Sequence, residues 1–99
     1  MSDLETRLAQ LTTAQQTITY GQLARDLGWR MGQLTAALEE MMREDAAKGR
    51  PFRAALCAGR LAGGLPARGF FDLAAALGAD VSDPAAFVEA QRRRLHEGS

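Results

Sequence analysis

The chain holds one cysteine, Cys57, and one histidine, His96. A cysteine becomes a nucleophile when a neighbouring base or a cationic, half-exposed setting stabilises its thiolate. Cys57 instead sits in the apolar run Leu56-Cys57-Ala58, and His96 belongs to the last helical turn. The pair therefore predicts a buried structural thiol rather than a catalytic dyad. One cysteine and one histidine also fall short of a zinc ligand set. The carboxylate pairs Glu39-Glu40 and Glu44-Asp45 would do acid–base work only if one member were desolvated. Beside Arg43 on a helix they read as a solvated, ion-paired face. Gly59, Gly63 and Gly64 fit neither a dinucleotide fingerprint nor a phosphate loop and read as turn residues. These types and spacings predict no enzyme, no metal and no cofactor.

Charge is more informative. Twelve basic and twelve acidic residues give a net charge of zero, which conceals an uneven distribution. Residues 1–45 sum to minus three and 72–99 to minus two, while 46–71 carries Lys48, Arg50, Arg53, Arg60 and Arg68 with no acid. Arginines on a glycine-rich turn reach phosphates at little desolvation cost. The other reading pairs them with the acids at 39, 40, 44 and 45. Arg92-Arg93-Arg94 lies near a chain-terminal helix end, flanked by Glu89 and Glu97, and reads as local stabilisation through the helix dipole.

The elements that must carry these groups follow from period and punctuation. Ser2-Asp3-Leu4-Glu5 has the form of a capping box, and Leu4, Leu8 and Leu11 predict a helix over about 3–11. Ile18-Thr19 suits a short extended piece. Thr19 then caps a second helix with Leu23, Ala24 and Leu27 on its buried face, stopped by Gly28. A third helix runs from about Met31 to Lys48 with Leu34, Leu38 and Met41 inward. Phe52–Ala58 predicts a strand, and the glycines at 59, 63 and 64 turn it into a small hairpin. Phe70–Leu77 is a fourth helix closed by Gly78. Ser82-Asp83-Pro84 opens a fifth, lined by Phe87, Val88, Gln91 and Leu95.

The expected fold is mainly α with a small β hairpin in one domain over 1–99. Helix-turn-helix followed by a wing is the winged-helix plan, here with two extra C-terminal helices. The stretch Ile18-Thr19-Tyr20-Gly21-Gln22-Leu23-Ala24-Arg25-Asp26-Leu27-Gly28 resembles the opening of the DNA-binding domain of O6-alkylguanine-DNA alkyltransferases and alkyltransferase-like proteins. Gly32–Leu38 falls where that family has its recognition helix, and Pro51–Gly64 where it has its active-site strand and turn. The resemblance covers residues 18–64 and implies that Tyr20 stands near a phosphate of a flipped nucleotide. The family's reactive motif, Pro-Cys-His-Arg or Pro-Trp-His-Arg, is Pro51-Phe52-Arg53-Ala54 here. Its intercalating arginine has no match, since Gly32 lies closest and Arg30 falls two residues earlier. The resemblance thus implies the fold without alkyl transfer.

Two functions are consistent with this reading. One is a non-enzymatic module contacting nucleic acid through Tyr20, Arg30, Gln33 and Thr35 together with Arg50, Arg53, Arg60 and Arg68. The acidic second half of the third helix restricts such contact to its N-terminal turns, because base edges are read by Arg, Lys, Asn or Gln. The other is a protein-interaction or dimerisation module with an apolar patch around Phe70, Phe71, Phe87 and Val88. No stretch has the form of a signal peptide or a membrane span, and a lone cysteine suits a reducing compartment, so the expected location is the cytoplasm.

Overall fold

The computed structural model describes residues 3–59 and 63–97, which form five helices and a two-stranded parallel sheet. Helix α1 (Asp3–Ala14) buries Leu4, Leu8 and Leu11 on one stripe. It outruns the expected end at Leu11, with the Thr12 hydroxyl donating to the Leu8 carbonyl at 3.0 Å. Strand β1 (Ile18–Thr19) leads directly into α2 (Tyr20–Leu27). Thr19 Oγ1 accepts from the Gln22 N–H at 3.2 Å, and Gly28 closes the helix at φ 70°, as its type predicts. Helix α3 (Met31–Ala47) buries Leu34, Leu38, Met41 and Met42.

The next segment departs from the expected hairpin. Arg53–Leu56 forms a 3-10 turn, and only Cys57–Ala58 (β2) is extended. β2 pairs with β1 in parallel, Ile18 opposite Cys57 and Thr19 opposite Ala58. The intervening α2 and α3 supply the long crossover that a parallel pair requires. A strand over 52–58 fails because side chains take the donors it would offer a neighbour. The Phe52 N–H donates to Gln91 Oε1 at 2.8 Å, and the Arg53 N–H to Asp45 Oδ2 at 3.0 Å. Ala54 and Ala55, poor strand formers, instead let this turn sit fully inside the core. The expected hairpin tip, 60–62 including Arg60, lies outside the described residues. The loop base beside it is closed by Gly59 N–H donating to Leu65 O at 2.8 Å.

Helix α4 (Arg68–Ala76) begins two residues earlier than expected, and α5 (Pro84–Glu97) is capped by Asp83, whose carboxylate accepts from Ala86 N–H at 3.2 Å. Phe52 meets Phe70 edge-on at 6.1 Å and Phe87 at 6.2 Å, which ties both helices to the 3-10 turn. The apolar patch expected at Phe70, Phe71, Phe87 and Val88 is therefore not a surface. Phe70 and Val88 belong to the core, and Phe71 and Phe87 pack against it. Among the described residues no helix is long and apolar enough to cross a membrane.

Candidate functional site

The cationic segment divides into committed and free members. Asp45, on the last turn of α3, is fully buried. Arg53 reaches both its oxygens through Nε at 3.1 and 3.2 Å, and Oδ1 again through Nη2 at 2.9 Å. Arg50 adds Nη2 at 3.0 Å from Asp45 and 3.2 Å from Glu44. Lys48 lies 3.4 Å from Glu44, and its hydrogen bond and charge hold that carboxyl below its ordinary pKa. Of the two readings open for the cations of 48–53, the structure shows pairing with acids, and those acids are Glu44 and Asp45. Glu40 is engaged instead with Arg43, at 3.5 Å.

Arg68 differs. Its side chain is 93% exposed, and its single ion pair among the described residues, with Asp72, is stretched to 3.9 Å. Arg30 occupies the N-cap of α3 without a side-chain capping bond and makes no ion pair among the described residues. Arg25, exposed on α2, donates among the described residues only to Gln22 Oε1, at 3.0 Å. None of these three neutralises a buried acid.

One groove of about 850 Å³ lies between α2, α3 and α4. Leu38, Met42, Ala54 and Phe70 supply its apolar floor, and Thr19, Tyr20, Thr35 and Glu39 its polar walls. Arg25 lines it directly, while Arg30 and Arg68 immediately precede the lining residues Met31 and Gly69. Met31 is 48% exposed, the single large apolar side chain so open among the described residues. The groove lies where α2 and α4 begin, and first-turn N–H groups have no partner inside their own helix. Gly21 and Gly69, each second in its helix, line it too. No atom lies within 4 Å of where a Cβ would stand at either position.

Tyr20 enters this groove half-buried, with its hydroxyl accepting from the Ala67 N–H at 3.1 Å. Burial raises its pKa, partly offset by that hydrogen bond. Of the residues expected to act together, Tyr20 and Thr35 both line the groove, Arg30 and Arg68 are only chain neighbours of lining residues, and Gln33 is exposed on the first turn of α3. Arg50 and Arg53 are drawn to the other end of α3. Sequence reasoning passed over Arg25 and Met31. Their signal was spacing, since Gly21 and Arg25 are four apart, as are Met31, Thr35 and Glu39, and each set shares one helix face.

The remaining reactive groups are structural. Burial pushes the Cys57 thiol up to about 12, so it stays protonated and inert. Arg92, read from sequence as a dipole partner, donates through Nε to Ala55 O at 2.7 Å and through Nη2 to Gly64 O at 2.9 Å. It fastens the 3-10 turn to the far side of the loop. A second hollow, about 600 Å³, runs along α5 past Arg92 and His96. Among the described residues no group of three histidine, cysteine or carboxylate side chains is placed to hold a metal. No protein-family model, curated protein or solved structure matches the chain.

Proposed function

We propose that the protein is a non-enzymatic binding module of winged-helix type that contacts nucleic acid at the groove between α2, α3 and α4. One observation carries this reading. Arg25 lines the groove, Arg30 and Arg68 directly precede its lining residues Met31 and Gly69, and none of the three is spent on a buried acid, whereas Arg50 and Arg53 are. Exposed guanidinium groups bind phosphate oxygens in a fixed fork geometry. Gln33 and Thr35 add polar reach from the first turns of α3. The wing-like part of the plan rests on β2, which follows the two helices and pairs with β1. Relative to the sequence reading, the cationic contact moves from the glycine-rich turn to the last turn of α2 and the starts of α3 and α4.

The test is fluorescence anisotropy of labelled oligonucleotides against salt. Three neutralised phosphates give a slope of log K on log salt of about −2 to −3. The triple variant R25E/R30E/R68E should abolish binding while keeping the native melting temperature. Affinity that is flat in salt, or unchanged in the triple variant, overturns the proposal.

A further inference from the structure

We infer that the groove side of α3 is a self-association surface, on which a second copy of this chain packs antiparallel about a twofold axis at Thr35. The aromatic patch expected to carry self-association is core, and α3 offers a different face. Met31, Thr35 and Glu39 recur at four-residue intervals and all line the groove, so they form one stripe of the helix. Met31 is the one large apolar side chain that stands open among the described residues, Thr35 is exposed, and Glu39 is half-buried.

Charge decides what covers this stripe. Of the four acids on α3, Glu40 pairs with Arg43, while Glu44 and Asp45 pair with Lys48, Arg50 and Arg53. Glu39 alone makes no ion pair among the described residues. At the other end of the stripe, Arg30 holds the N-cap, also without an ion pair among the described residues. Arg30 and Glu39 stand about 13–14 Å apart along the helix, too far to pair within one chain. A face with an open cation at its start and an open acid farther on is complementary to itself turned end for end. A twofold interface makes every contact twice, residue i to j and j to i. With the axis at Thr35, Glu39 of each copy lies opposite Met31 of the other and beside its Arg30. Each Met31 leaves water against the facing helix. Arg25, which lines the same groove and has only Gln22 as its partner among the described residues, adds a second cation for the incoming acid. A net charge of zero means that no long-range repulsion opposes the approach of two copies. A copy seated here occludes the groove, so the associated form is closed to nucleic acid.

The experiment is sedimentation equilibrium of the whole chain at low salt, over a range of concentrations and without nucleic acid. The weight-average mass should rise with concentration toward that of two chains. Glu39→Arg and, separately, R25E/R30E should each lose at least roughly tenfold in association, because each sets like charges face to face at both ends. Mixed in equal amounts, these two variants regain both pairs in a heterodimer and should associate within about threefold of the wild type. Thr35→Lys, which sets two like charges at the axis, should lose association through a separate, exposed residue. A wild type that is monomeric throughout overturns the inference and leaves nucleic-acid contact standing. Association unchanged in Glu39→Arg or in Thr35→Lys places any dimer elsewhere and also overturns it. So does a mixture that associates no better than its components.

Discussion

Arg53 and Asp45, eight residues apart, form a bidentate ion pair in which the carboxylate is entirely withdrawn from water. The same carboxylate accepts the Arg53 backbone N–H at 3.0 Å. One buried acid therefore fixes both the end of α3 and the turn that replaces the expected strand. Removing it strands Arg53, whose side chain is only 21% exposed. Breaking a buried pair from one side costs about 3–5 kcal/mol. Asp45→Ala should fall in that range by urea denaturation. Arg50→Ala, at the half-exposed edge of the cluster, should cost about 1 kcal/mol or less. Equal costs for the two variants would show that the burial of Asp45 does not matter.

Alkaline pH should unfold the protein through Cys57. The thiol ionises at 9.0 ordinarily and at about 12 when buried in the native state, where the Arg92 charge only partly offsets burial. The folded value is the higher one, so this contribution to stability is complete below about pH 9. It drains as pH rises toward 12, at about 1.4 kcal/mol per pH unit. Tyr20, also raised by burial from 10.0, adds a loss of the same sign at higher pH. Urea midpoints measured across this range should fall steeply in the wild type. In Cys57→Ala the fall should begin later, where tyrosine ionises. At about pH 8 a disulfide reagent should label the thiol only in unfolded protein, and rapid native labelling contradicts the burial argument.

Most of the helical frame was legible because its signals are local. Leucine spacing places α1, Thr19 and Gly28 bound α2, and the Ser82-Asp83-Pro84 punctuation opens α5. What escaped was set by long-range partners. Nothing near Phe52 announces that Gln91, on another helix, will take its N–H. Nor does the run Arg53-Ala54-Ala55-Leu56 reveal that it packs as a 3-10 turn against three helices. Charge counting found the cationic middle but could not divide it. Arg50 and Arg53 look like Arg68 in sequence until the chain turns back onto Asp45. Arg25 was overlooked for the converse reason, since it lies in an acidic half of the chain.

Arg92 should hold the loop after β2. Its two bonds, to Ala55 O and Gly64 O, span the 3-10 turn and the far side of that loop. Hydrogen bonds from a charged donor contribute about 1.5–3 kcal/mol. Arg92→Ala should therefore destabilise by about 2 kcal/mol or more, and Arg92→Lys, which lacks the fork, should recover only part of it. Hydrogen exchange resolved by residue should show the Gly59 amide, which donates to Leu65 O, exchanging faster in both variants. A global loss of protection without a local excess there would assign Arg92 to general packing.

Tyr20 should act on binding through α4. Its hydroxyl accepts the Ala67 N–H one residue before α4 begins, and so bears on where Arg68 and the groove-lining Gly69 stand. That amide is exposed, and water can replace the hydroxyl, so Tyr20→Phe should cost only about 0.5–1 kcal/mol of stability. Its effect on oligonucleotide affinity should be coupled to Arg68. Arg68→Ala should weaken binding clearly in the wild type and much less beside Tyr20→Phe, because the arginine is already poorly placed. A double-mutant cycle reads this as an interaction energy of about 0.5 kcal/mol or more. Strict additivity would mean that Tyr20 meets the ligand independently of α4, in the phosphate-side role that the alkyltransferase resemblance implied.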